Sequence, residues 1–437
     1  MPQTIALAAA LLLFALIAGA LPARDLDLNV YRQAAERTFG ARVDPYPRGD
    51  GEVLPFTYPP TALFLIYPFS RLDLHDSARL VWGLNLVLVP TLMWLLVGDL
   101  ARTSPPNRAP DPRERMIGQR LRVWGPLYMA SFGGVYLTLH FHQINLLILL
   151  CLWLYWRRAR LGQAGYAAGA ALALGAVAKP HYGLLLLAAL QWPGARPSAQ
   201  GVATRAADHP LRRALRPVFG AALGGSLLLA LSLLIAPPGS WDSWLKLVPG
   251  HTSYIELPPG HSSIAAPWNR SIPGQVARLL LPNKFSQPVF SSPSATALLS
   301  TLLVFAAAVA TLWLLRDVMR ARWRLRLPTD PRIVDLELSL LSVLVFLAAP
   351  ASWTHHLVML LPAALVLLRD VVLDPRAPSG SRFTAALVLV ALALTLDDLI
   401  PREVRVSCQA IMGLMTVAVL SLWLLLMERL YRLRASG

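Results

Sequence analysis

Charge is scarce in this chain, and lysine is nearly missing. Only 15% of the 437 residues are charged, and of the 40 basic residues three are lysine: Lys179, Lys246 and Lys284. A soluble domain carries charge on roughly a quarter of its residues, so an ordinary water-facing surface is excluded. Cysteine is rarer still. Cys151 and Cys408 lie in or at the ends of hydrophobic runs, far apart, with no metal-ligand spacing and no bearing on redox compartment. No Gly-rich phosphate loop of the usual spacing occurs, which argues against a cytosolic ATP or nucleotide-sugar enzyme. No basic segment is interleaved with aromatics on a polar fold, so the net charge of +16 is no nucleic-acid footprint, and nucleic acid is not an expected partner.

What the chain has is apolar length. Apolar residues make up 55% of it, and the mean hydropathy is +0.51. Runs of roughly 17 to 23 apolar residues are long enough to cross a hydrocarbon core of about 30 Å as helices. They do not alternate as barrel strands do, and lipid offers the backbone no other partner. The reading is an all-α polytopic integral membrane protein with about twelve spans, one membrane-embedded domain over 1–437. The first run, 4–22, lacks the basic start of a cleaved signal peptide and reads as a retained anchor. Further spans are expected near 77–99, 123–139, 144–156, 164–178, 181–193, 217–236, 297–315, 333–349, 356–368, 383–396 and 404–427. Every second loop between them is basic: six stretches, including the C-terminal tail, hold 26 of the 37 arginines. The positive-inside rule puts those stretches and both termini in the cytosol, facing anionic lipid, for a protein of the plasma membrane.

The unusual residues then gather on the external face. They fall in the first loop (23–76), HFHQIN at 140–145, KPH at 179–181, the long loop 237–296 and SWTHH at 352–356. The segment from Asp27 to Phe39 reads as an interfacial helix with an apolar stripe of Leu28, Tyr31, Ala35 and Phe39, begun at Asp27 and ended by Gly40. Asp27 there is either a helix cap or a catalytic carboxylate, and the two are compatible. FTYPPTALFLIYPFSRL (56–72) is too short to span and reads as a second interfacial or re-entrant helix, with Tyr58 at headgroup depth. Lys179, before the helix-breaking Pro180, either snorkels to the interface or meets a phosphate. In a chain that otherwise uses arginine, a compact ammonium suits the phosphate. His355 and His356 are adjacent and lack the spacing of a metal pair; one imidazole fits a proton carrier or phosphate partner better. Gln143 and Asn145 either satisfy helix ends or bind substrate. Trp241, Trp244 and Trp268 in the long loop are open to sugar stacking or lipid anchoring.

In order, D-L-x-V-Y, dPY, YPP, QxN, a K-P break, WN-x-S and S-W-x-H-H resemble glycosyltransferase family 87, of the GT-C superfamily, over about residues 25–362. This chain has HQIN where GQxN is more usual, and WNRS where WNQS is. The resemblance implies a GT-C-type fold and a sugar donor, mannose above all, carried on polyprenyl phosphate. It implies Asp27 as catalytic base and Lys179, His355 and His356 near the donor phosphate. Tyr31, Tyr58, Gln143, Asn145 and Asn269 stand in its motifs as candidate substrate-binding residues. It further implies inversion (a β-linked donor giving an α-linked product) and a glycolipid or glycan acceptor; nothing in the sequence requires a metal or other cofactor. The same chemistry with arabinofuranose or another hexose remains open. A transporter or flippase is disfavoured, because the polar residues cluster at one interface and no internal repeat is present.

Overall fold

The computed structural model describes residues 2–20, 24–47, 54–104, 108–191, 210–251, 263–283, 287–325, 330–395 and 409–435. Lys284, Cys408 and the LPPGH stretch at 257–261 lie outside them. Among the described residues all regular structure is helical, and the one extended pairing is an isolated antiparallel bridge between Asn269 and Trp353. The chain is an all-α polytopic membrane protein. Six helical runs are long and apolar enough to cross a membrane: Pro2–Ala20, Leu74–Leu100, Leu215–Ile235, Pro293–Val318, Thr354–Val372 and Gly413–Leu433. Their outer faces carry exposed Leu227, Leu233, Leu234 and Phe305, which suit hydrocarbon and not water. The run Thr354–Val372 is 89% buried against 17% for Leu215–Ile235, so it is the interior axis and the latter a lipid-facing wall.

Of the spans expected near 123–139, 144–156, 164–178 and 181–193, the first is broken, the second runs on to Arg160, the third is shorter and the fourth is a 3-10 helix. Helix Pro112–Ser131 stops at Phe132, in extended conformation, and restarts as Gly133–His140. Asn145–Arg160 and Tyr166–Ala176 follow, then the 3-10 helix Pro180–Gln191. The interruptions fall at His142, Gln143, Lys179 and Pro180, where polar side chains replace the apolar run. Broken helices persist at membrane depth only where protein satisfies the freed backbone groups. Close packing helps: a Cβ at Gly169 would lie 1.9 Å from the Pro217 carbonyl oxygen, so helices Tyr166–Ala176 and Pro210–Ile235 meet backbone to backbone.

The first loop forms two helical pieces that pack on each other. Helix Leu26–Ala35 runs on through a π turn, Glu36–Ala41, past Gly40, and is ended by Arg42 in the left-handed region at φ 57°. The second piece is three short turns, Pro60–Ala62, Leu63–Ile66 and Tyr67–Arg71. Leu28, Tyr31, Phe56, Leu63, Ile66 and Phe69 form the shared core between them.

At the other end of the bundle lies a buried ionic knot that the sequence reading assigned only to loop charge. Asp335 accepts from Trp156 Nε1 (2.9 Å), Arg160 Nε (2.6 Å) and Arg369 Nη1 (2.6 Å). Arg160 also donates to the Asp99 carbonyl (2.7 Å), and Arg369 to that of Leu100 (3.3 Å), satisfying the end of helix Leu74–Leu100. Arg113 and Arg429 converge on Asp374. Asp335→Ala leaves two buried guanidiniums without their shared carboxylate, and is expected to cost about 3–5 kcal/mol of stability. A lowered melting temperature in detergent checks this; an unchanged one would show that the knot contributes little.

Candidate active site

Four segments supply the site: the start of helix Leu26–Ala35, the YPP turn, the break at 141–144 and the break at 177–180, closed by the strap 350–356. Gln143 is the hub. Its Nε2 donates to Asp27 Oδ2 at 2.6 Å, and its Oε1 accepts from the Tyr31 hydroxyl at 2.7 Å and from Tyr58 at 3.3 Å. Only one amide orientation serves a carboxylate and two phenols at once. The backbone of Gln143 is fixed as well: its N–H donates to the Thr138 carbonyl (2.9 Å), and its carbonyl accepts from Asn85 Nδ2 (3.2 Å).

Asp27 does not begin its helix. Asp25 stands at the cap position and Asp27 in the first turn, with its carboxylate turned to Gln143. The expectation that Asp27 begins and caps its helix is corrected on this point, because the cap position falls two residues earlier, at Asp25. Burial pushes the Asp27 carboxyl up from the usual range, against the Gln143 N–H and the Lys179 charge, which hold it down.

Tyr31 and Tyr58 stack with ring centroids 5.7 Å apart and hydroxyls 3.0 Å apart. Tyr58 is held in turn by the dPY segment: the Tyr46 hydroxyl donates to the Tyr58 carbonyl (2.7 Å), and Asp44 accepts from the Tyr46 N–H (3.1 Å) and from Ser243. Trp244 Nε1 donates to the Thr57 carbonyl (3.2 Å), which ties helix Ser240–His251 to the same turn. Trp244 therefore braces the site, whatever else it touches.

Lys179 is 3% exposed, so it does not snorkel. Its Nζ lies 2.6 Å from His356 Nε2 and 5.7 Å from the centre of the Tyr58 ring. As an ammonium it donates to His356, which then carries its proton on Nδ1, and two N–H groups are left for another acceptor. Burial pulls its pKa down to about 7, with Asp27 opposing. Thr61 Oγ1 donates to the Val177 carbonyl (3.0 Å) and joins the YPP turn to this break. His355 packs edge-on against His356 at 4.4 Å and lies 5.7 Å from Phe141.

Two candidate substrate-binding residues bond to backbone near the strap. Asn269 Nδ2 donates to the Ile264 and Pro350 carbonyls, and its Oδ1 accepts from the Ser271 and Ser352 N–H groups. All its hydrogen-bonding capacity goes to backbone, which positions the histidine strap. Asn145 Nδ2 donates to the His355 carbonyl at 3.4 Å and steadies the strap from the other side. Gly134 lets the helix beneath approach, since a Cβ there would sit 2.6 Å from Val358 N. The sequence reading passed over Asn85, Thr61 and the Arg270–Thr354 bond (3.1 Å); single polar residues inside apolar runs carry no spacing that announces a partner.

The arrangement suits group transfer: a half-buried carboxylate on one side of a phenol and amide cluster, a buried amine and imidazole on the other. The sequence pattern of Glycosyltransferase family 87 matches residues 56–329, which hold Tyr58, Gln143, Asn145, Lys179 and Asn269. A polyprenol-phosphate-mannose-dependent alpha-(1-2)-phosphatidylinositol mannoside mannosyltransferase of Mycobacterium tuberculosis is 26% identical over 358 residues, covering 78% of this chain and 70% of that protein. No solved structure matches the chain. With well over half of its length matched, the chain belongs to glycosyltransferase family 87 and is a membrane glycosyltransferase.

Proposed function

We propose that the chain transfers mannose from a polyprenyl-phosphate donor to a hydroxyl of a glycolipid or glycan on the external face of the plasma membrane, with inversion. The observation that carries this reading is the shared cradle of Asp27 and Lys179, linked through Gln143, Tyr31 and Tyr58. The name of the Mycobacterium tuberculosis relative supports the donor class. The lipid tail lies in the bilayer and the phosphate reaches Lys179. Asp27 takes the proton of the acceptor hydroxyl as its oxygen attacks the anomeric carbon from the face opposite the phosphate. The bond from that carbon to the phosphate oxygen breaks, and polyprenyl phosphate leaves with the electron pair. Lys179 offsets the charge that grows on it, and one strap histidine supplies a further hydrogen bond. Both termini are cytosolic in this reading, and the Asp335 knot faces the cytosol.

Because the ammonium supplies the positive charge, no metal is needed, and EDTA is expected to leave the rate unchanged. The test is transfer in purified membranes given radiolabelled polyprenyl-phosphate mannose. Label moving to an endogenous glycolipid supports the reading. Transfer only from polyprenyl-linked arabinofuranose or another hexose would overturn mannose, and transfer from none would overturn the donor class.

A further inference from the structure

Asp-Pro-Arg occurs three times in this chain, at 111–113, 330–332 and 374–376. The fold brings all three to the ionic knot, at the end of the bundle away from the active site. In each, the aspartate carboxylate caps the turn that follows, accepting from the N–H of Glu114 (2.8 Å), Arg332 (2.8 Å) or Arg376 (3.1 Å). The first two open helices Pro112–Ser131 and Pro331–Ala348, which sets Arg113 and Arg332 in a first turn. The helix dipole opposes a cation there, so both need partners.

Arg113 holds Asp374 through Nε (3.0 Å) and Nη2, and Arg429 Nη2 joins it there at 2.8 Å. Arg332 Nη2 donates to Asp370 Oδ1 at 3.2 Å, on a carboxylate that Arg369 already holds with two bonds. With Arg160 on Asp335, five guanidiniums share three carboxylates, and the capping carboxylate of Asp330 leaves the balance positive. Pairing is incomplete at Arg332 and Arg429. Among the described residues each gives a carboxylate one bond, and each has a buried Nε without a partner. Both side chains are 11% exposed, so they lie just beneath the surface, near enough for their like charges to act on each other. Exposed Arg120 and Arg382 add to the positive rim, donating to the Leu373 and Val372 carbonyls. Glu428, beside Arg429 in the chain, is taken up by Arg432 and Ser381.

We propose that Arg332 and Arg429 hold the phosphate of an anionic phospholipid from the leaflet at this end of the bundle. Phosphate oxygens supply the acceptors that two half-used guanidinium forks lack. A lipid, and not a free anion, fits the helices that leave this point. Ser379–Leu394 and Gln409–Ala435 pack on each other and carry exposed Phe383, Leu387, Val390, Leu424 and Tyr431. An acyl chain can follow that wall into the bilayer, and basic pockets between transmembrane helices suit anionic headgroups. The site is independent of the donor and of Asp27.

The test titrates purified protein in detergent with dioleoyl phosphatidylglycerol or dioleoyl phosphatidylcholine, counts one-lipid complexes by native mass spectrometry, and adds inorganic phosphate as competitor. Phosphatidylglycerol is expected to bind the wild type at least about tenfold tighter than the net-neutral phosphatidylcholine. Arg332→Gln/Arg429→Gln should weaken phosphatidylglycerol at least about tenfold, the scale of one lost charged hydrogen bond. Asp370 and Asp374 keep Arg369 and Arg113 in that variant, so it is expected to fold. The control Arg158→Gln/Arg320→Gln removes two exposed arginines outside the knot and should stay within about threefold of wild type. Equal binding of the two lipids to the wild type would overturn the site, with no variant needed. An equal loss in both double variants would reduce the preference to diffuse surface charge and overturn it as well. Phosphate that displaces phosphatidylglycerol at equal concentration would make the occupant a free anion and overturn the lipid.

Discussion

Asp27→Asn is expected to lower kcat by about 10²- to 10⁴-fold, the range for loss of a positioned general base, with donor KM unchanged. Asparagine has nearly the same shape, and its Oδ1 still accepts from Gln143 Nε2, so the Tyr31–Tyr58–Gln143 cluster stays in place. What disappears is the oxygen that takes the acceptor's proton. A fall in kcat with donor KM held places the loss in the transition state. Equal activity in the two proteins would instead leave Asp27 as an acidic first-turn residue in favourable contact with the helix N-terminus. The raised pKa of Asp27 adds a pH signature. The ionised form is the active one, so kcat falls as pH drops through that pKa, and it begins to fall at a higher pH than an exposed aspartate would give.

Lys179→Met carries the second large effect and separates donor chemistry from folding. Methionine keeps the length of the side chain without the charge. Burying an ammonium is costly, so the variant is expected to melt at or above the wild-type temperature. Its kcat/KM for the donor should nonetheless fall about 10²- to 10³-fold, the scale of one lost donor to a developing charge. Lys179→Arg is not expected to restore it, because a planar fork does not fit the position of a compact ammonium against His356 and Tyr58. Burial pulls the Lys179 amine down to about 7. As pH rises through that value the amine loses its proton, so kcat/KM for the donor declines. A bound phosphate holds the proton on, so kcat declines only at higher pH. A lowered melting temperature together with an unchanged donor KM would make Lys179 a packing residue.

Much of this site was legible in the sequence because a membrane protein sorts its polar residues strictly. Asp27, Gln143, Lys179 and His356 each stand where an apolar run stops, and the positive-inside reading of the arginines expects all four stops on one face. The structure brings those four together. Less legible was which polar groups face the cradle and which hold its walls. Asn269 stands in a motif as prominent as Gln143, yet its amide goes to backbone carbonyls and N–H groups, while Asn145 Nδ2 goes to the His355 carbonyl of the strap. Motif spacing does not record that difference, because an amide has the same composition in either role. Helix lengths were hidden for a related reason. Hydropathy joins 123–139 into one run, while Phe132 breaks it so that Gly134 can approach the strap. The Asp335 knot lay among arginines whose loop distribution reads as topology, and only the packing of distant helices shows that Arg160 and Arg369 are buried.

The central claim is a single displacement in which Asp27 removes a proton on one side while phosphate leaves toward Lys179 on the other. The anomeric configuration of the product tests it most directly. Purified protein in lipid nanodiscs would be given β-linked polyprenyl-phosphate mannose, radiolabelled in the sugar, and a glycolipid extract as acceptor. The account predicts an α-linked product, with label released by α-mannosidase and not by β-mannosidase. A β-linked product would mean net retention and would contradict the single displacement in which Asp27 and Lys179 act on opposite sides of the anomeric carbon.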